Sequence, residues 1–172
     1  VEISSESGTL PIQTNGIVDL KLDVEQRELY VADVNGNIFY YDISDKTEQR
    51  LIQKVKAVND GVRITAMEFL AGGISILVGD SRGHIAQWFP VRDEENNYTL
   101  QHIRTFDDQE AAISSITPEH SRKGFIAIDA GGEMGIYHTT AHRTVLLKQT
   151  SDNQSALKGM ALSPRANAVV ML

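Results

Sequence analysis

The sequence predicts an all-β chain, a partial β-propeller of about three and a half four-stranded antiparallel blades. Three observations predict it. One string occurs three times, at Asp33–Tyr41, Asp80–Trp88 and Asp129–Tyr137, each reading Asp, two residues, Gly, one residue, Ile or Met, two residues, aromatic. A second string (Ile17, Leu20, Leu22; Ile64, Met67, Phe69; Ile113, Ile116, Pro118; Leu157, Met160, Leu162) occurs four times, and its first three copies begin 16 residues before those three Asp residues. Finally, no stretch carries a helical period, while short strands with turn signals recur every 44 to 49 residues. Such a blade cannot bury both faces alone, so blades pack side by side around an axis.

Each element follows from local pattern. Val1 to Ile3 reads as the last strand of a preceding blade, and residues 4 to 15, with Gly8 and Pro11, as turn and loop. In the first repeat (about 16–60), strands fall at Ile17–Leu22, Glu28–Ala32, Ile38–Ile43 and Arg50–Val58. In the second (about 61–110) they fall at Ile64–Phe69, Ile74–Val78, His84–Val91 and Tyr98–Phe106, with Ala71-Gly72-Gly73 and Asp93–Asn97 as turns. The third (about 111–155) has Ile113–Thr117, Gly124–Ile128, Glu133–His138 and Thr144–Thr150. A half blade (156–172) has Leu157–Leu162 and Ala168–Leu172. The break within a repeat and the absent starting Met predict a domain excised from a longer chain.

Composition narrows the function. Charged residues make up 23% and apolar residues 41% of 172 residues, an ordinary balance for a globular domain. No run of 18 apolar residues exists, so no helical membrane span is predicted. The net charge of −7 argues against nucleic acid and anionic membranes as partners, because both are held by Lys and Arg. Zero cysteines exclude disulfides, thiolate metal sites and thiol nucleophiles.

The repeated strings and the turn Leu162-Ser163-Pro164-Arg165 resemble WD-repeat blades over the whole chain. The Trp-Asp pair that names that family is absent, since Phe89 follows Trp88, and so is a Gly-His pair before each first strand. A narrower resemblance lies in the blade pattern and in the ending Leu157-Lys-Gly-Met-Ala-Leu-Ser-Pro-Arg-Ala-Asn. It is similar to the periplasmic insert of proteobacterial phosphate ABC transporter permeases, which follows their first transmembrane helix. That resemblance implies a periplasmic portion of an inner-membrane protein, joined to the membrane only through its parent chain.

In each repeated string the residues expected to hold the fold are the turn pair and the aromatic: Asp33, Gly36 and Tyr41; Asp80, Gly83 and Trp88; Asp129, Gly132 and Tyr137. Asp can bind turn amides and Gly supplies a positive φ. The aromatics are expected to pack between blades rather than form a ligand cage. Asp33, Asn35 and Asn37 have the opening spacing of a calcium loop, but Ile38 stands where it needs Gly and Ser44 where it needs Glu. His138 and His142 have helical metal spacing but sit where a strand runs into a loop. His84, His102 and His120 are scattered, and Glu94, Glu95, Asp107, Asp108 and Glu110 read as solvated loop acids. Ser163 lacks a nucleophile-elbow context, and Asn97 and Asn153 head glycosylation sequons. No catalytic, cofactor or metal residue is therefore expected.

The sequence reading is a non-catalytic accessory or interaction domain of a phosphate permease. It would dock a phosphate-binding protein or transporter subunits without touching phosphate itself. The alternative is a cytoplasmic WD-repeat-type interaction scaffold, and behind it a propeller hydrolase, which would need acids or a metal gathered at the axis. Three and a half blades do not close a usual ring, so further blades or a second copy of the chain are expected to associate.

Overall fold

A computed structural model describes residue 10 and residues 12–120, 124–140, 143–148, 160–163 and 168–171. These residues build three four-stranded antiparallel sheets and a two-stranded one, each a meander in chain order. The first blade comprises β1 (Ile17–Leu22), β2 (Glu28–Asp33), β3 (Asn37–Asp42) and β4 (Arg50–Lys56). The second comprises β5 (Ile64–Phe69), β6 (Ile76–Asp80), β7 (Ile85–Arg92) and β8 (Tyr98–Thr105). The third comprises β9 (Ile113–Pro118), β10 (Gly124–Asp129), β11 (Glu133–His138) and β12 (Arg143–Lys148). Strands β13 (Met160–Leu162) and β14 (Val169–Met171) form a two-stranded sheet after them. The chain is an all-β partial propeller.

The first strands of the blades, β1, β5, β9 and β13, touch in succession, which makes them the inner strands. Their register repeats. Leu20 pairs with Val31, Met67 with Val78, Ile116 with Ala127 and Met160 with Met171. The β5–β6 turn takes in Ile74, so β6 starts at Ile76, two residues later than the near-continuous apolar run from Ile74 suggests. Leu70 N donates to Ser75 O and Gly73 N to Leu70 O, which holds the chain in a turn until Ser75. The expected strand at Val1 to Ile3 lies outside the described residues, as do Leu157 to Gly159 at the start of the fourth repeat.

The core consists of the seams between blades. Tyr30, Ala32, Ile38 and Tyr40 of the first blade meet Ile64, Met67, Ile76, Val78, Trp88 and Leu100 of the second. Ala66, Leu70, Leu77 and Ile85 of the second meet Ile113, Ile116, Phe125, Ala127 and Tyr137 of the third. Strand alternation sends neighbouring residues to opposite seams. Trp88 and Tyr137 thus enter the seam with the blade before their own. Tyr41, at the same repeat position, packs with Val31, Phe39, Leu10 and Ile12 on the face of the first blade turned away from the second. Tyr41 is thus on the face of its blade equivalent to that of Trp88 and Tyr137, while Tyr40, on the opposite face, enters the first seam.

Candidate functional site

Each of the three turn aspartates accepts from the backbone N–H four residues on, and Asp33 and Asp80 also from the one two residues on. Asp33 Oδ1 accepts from the backbone N–H of Asn35 (2.9 Å) and Asn37 (2.8 Å). Asp80 Oδ1 accepts from Arg82 (2.7 Å) and His84 (3.1 Å). Asp129 Oδ1 accepts from Glu133 (2.8 Å), and its Oδ2 from Ala111 N (2.9 Å) in the loop entering the third blade. All three carboxylates are buried. Burial alone would raise the Asp33 carboxyl, but donation from the Asn37 side chain and backbone, Thr14 and Asn35 outweighs it and holds the group below the usual range. Gly36, Gly83 and Gly132 follow at φ +78°, +89° and +87°, the left-handed conformation these turns need.

His84 lies beside the second turn, and its Nδ1 is 2.6 Å from Asp108 Oδ1. The bond to Asp108 raises the imidazole's affinity for a proton; partial burial opposes this and the Asp80 charge adds to it. Asp108, expected to be merely solvated, therefore has a partner. His102 stands edge-on to Trp88 with ring centroids 5.5 Å apart, and His120 is exposed. His142 and Asn153 lie outside the described residues. Asn97 donates its N–H to Asp93 Oδ1 (2.8 Å) in the β7–β8 turn, and Ser163 Oγ accepts from Ala168 N (3.2 Å). Among the described residues no three His, Asp or Glu side chains converge as metal ligands would.

A cluster that motif reading passes over lies in the first seam. Glu28 accepts from Tyr30 Oη (2.9 Å) at one carboxylate oxygen and from Tyr40 Oη (2.7 Å) at the other. The two tyrosine rings stack, with centroids 4.6 Å apart and planes 6° from parallel. Burial, then the neighbouring Tyr40 and Glu28, push the Tyr30 hydroxyl well above the usual phenol range. Burial and the Glu28 bond do the same to Tyr40. Glu28 lies five residues before the turn Asp and Tyr40 seven after it. The equivalent residues of the second blade are Ser75 and Gln87, and they too are joined, Gln87 Nε2 donating to Ser75 Oγ at 3.0 Å. In the third blade these positions are Gly124 and Ile136. A polar residue recurring at both repeat positions is the sequence signal that would have found the pair.

Above Glu28 opens a cleft between the first two blades, about 620 Å³ in volume. Asp23, Glu25, Glu28 and Asp42 line it against Arg27 and Arg50, with Tyr98 and Thr99 from the second blade on the far side. Asp23 is tied into its turn by the N–H groups of Glu25, Arg27 and Glu28. Asp42 is paired with Arg50 at 3.5 Å and bonded by Ser44 at 2.6 Å; the Ser44 hydroxyl and amide are the main reasons its carboxyl is held down. A smaller cleft of about 250 Å³ opens between the second and third blades beside Gln87 and Arg104. Arg104 donates there to the Thr139 carbonyl. These arrangements can hold a polar segment of another molecule.

Radially packed four-stranded meanders, joined through their inner strands and closed by an Asp-Gly turn in each blade, are the architecture of a WD-repeat-like β-propeller. Solved structures agree. The chain is similar to the structure of U3-55K, with 15% identity over 83% of this chain and 41% of that one and a TM-score of 0.65. It is similar likewise to the RRP9 WD40 repeats, with 15% identity over 83% of this chain and 40% of that one and a TM-score of 0.65. The chain thus spans about two-fifths of the length of these structures. At this identity the likeness is one of fold. No family model and no curated protein sequence matches the chain.

Proposed function

We propose that the chain is a non-catalytic protein-interaction scaffold that holds a basic, extended segment of a partner in the cleft between its first two blades. The observation that carries the non-catalytic reading is the state of the repeated acids. Asp33, Asp80 and Asp129 each use carboxylate oxygens to bind main-chain N–H groups in turns. A propeller hydrolase would instead need such acids free and gathered at the axis. The basic character of the partner follows from the cleft, where four carboxylates stand against two guanidiniums and a tyrosine ring offers a flat contact. Nucleic acid is disfavoured by the same charge and by the net −7 of the chain. The phosphate-importer reading is carried by the sequence resemblance alone.

Fluorescence anisotropy with extended peptides of positive, neutral and negative charge tests this. Cationic peptides should bind the wild type, and Glu25→Lys should weaken them about tenfold, roughly 1.4 kcal/mol. Equal binding of all three peptides, or turnover of glycoside or lactone substrates with added divalent metal, would overturn the proposal.

A further inference from the structure

We propose that the cleft between the second and third blades is a second recognition site, which takes a carboxamide, the side chain of an Asn or Gln in a partner's extended segment. The cleft repeats the first one. Leu70, Ser75 and Gln87 line it, ten and five residues before the turn aspartate Asp80 and seven after it. Asp23, Glu28 and Tyr40 line the first cleft at the same offsets from Asp33. Each cleft is bounded by the turn between the third and fourth strands of the next blade, at Asn96 and Asn97 in one case and at Thr139 and Thr140 in the other. Both therefore open on the same end of the blades, at successive seams.

The two clefts differ in charge and in what is left unpaired. Four carboxylates line the first. Among the described residues none lines the second, whose ionic group is Arg104. Gln87 and Arg104 are cross-strand partners on β7 and β8, so their side chains share a face. Arg104 donates to the Thr139 carbonyl, and a guanidinium has further N–H groups to give. Gln87 is 9% exposed, and its Nε2 donates to Ser75 Oγ at 3.0 Å. Its Oε1 is buried and has no donor among the described residues. An oxygen in that state is costly, and a ligand that brings an N–H recovers the cost. The cleft thus calls for one group that accepts from Arg104 and donates to Gln87. A carboxamide does both, whereas a carboxylate only accepts and an ammonium only donates. The cleft, about 250 Å³ in volume, holds one such side chain, with Leu70 and Ala71 as an apolar wall for its methylenes.

This site rests on the extended partner segment inferred for the first cleft, and fluorescence anisotropy separates the two. Two sets of labelled peptides serve, one with a Lys-Gly-Ser body and one with an uncharged Gly-Ser body. Each peptide carries a short run of Gln, Glu or Ser at both ends. On the wild type, Gln-ended peptides of either set should bind about fivefold more tightly than their Ser-ended counterparts, as one or two hydrogen bonds allow. Gln87→Met keeps an unbranched side chain without the amide and should abolish that preference. Arg104→Met should abolish it as well, so a variant that fails to fold leaves the other as the readout. Equal binding of Gln-ended and Ser-ended peptides, tighter binding of Glu-ended ones, or a Gln preference that survives in either folded variant would overturn the proposal. Indifference to the Lys body, or to Glu25→Lys, would overturn only the reading of the first cleft.

Discussion

Gly79 leaves the space that Ile113 fills. A Cβ built on Gly79 would lie 2.6 Å from Ile113 Cγ2 and 2.7 Å from its Cβ, so the second and third blades approach as closely as backbone allows. The first blade has Ala32 at the same repeat position, which shows that the other seam is wider there. Gly79→Ala should therefore destabilise by about 1–3 kcal/mol through overpacking. In urea unfolding, Gly79→Ala combined with Ile113→Ala should cost less than the sum of the singles, by about 0.5–3 kcal/mol. Strict additivity would refute the contact.

Gly83 and Gly61 separate backbone strain from steric contact. Both have positive φ, +89° and +77°, but a Cβ on Gly83 would fall on the Gln109 and Ala111 carbonyls, whereas Gly61 has nothing within 4 Å. Gly61→Ala should cost only the left-handed penalty, about 1–2 kcal/mol. Gly83→Ala should cost clearly more, and thermal melts of the two variants side by side decide it.

The buried turn aspartate Asp129 accepts from Glu133 and Ala111 and so joins a hairpin to the loop that enters its blade. Asp129→Ala should lose about 2–3 kcal/mol, since bonds to a charged acceptor are strong and the orphaned amides are desolvated. Glu95→Ala, on an exposed turn, should stay within about 0.5 kcal/mol of the wild type.

Asp33 gives the acid side of the stability curve. Its folded pKa lies below the unfolded one, so the stabilisation is complete above the unfolded value and is lost as pH falls through the folded value. The Asp33→Asn variant should therefore lose the part of the wild type's acid-side decline that this group contributes. Parallel unfolding curves for the two proteins below about pH 4 would contradict it.

His84 works in the opposite direction. Its folded pKa is raised by Asp108, so what the pair adds is present below about pH 6.5 and disappears as pH rises through the folded value. Both side chains are largely exposed, and salt screening keeps the gain small. NMR titration should place His84 above its ordinary value in the wild type and return it towards that value in Asp108→Asn.

Much of the architecture is local in origin, and that part was legible. A turn Asp reaches the amide four residues ahead, and a Gly adopts positive φ within the same turn, so both write a fixed spacing into the chain. Alternation placed most strand limits within two residues, because period two is a property of the strand itself. The cluster of Glu28, Tyr30 and Tyr40 escaped notice because its spacing matches no motif, although the polar pair recurs one blade later.

By itself, then, the sequence determined the repeat, the turns and the all-β blade pattern, all of which arise from interactions within a few residues or from a fixed period. Only the tertiary structure decided that Gly79 yields to Ile113, that Glu28 meets both Tyr30 and Tyr40, and that Asp108 pairs with His84. Those contacts depend on how strands and loops are brought together, and equivalent residues in a repeat carry no local mark of it.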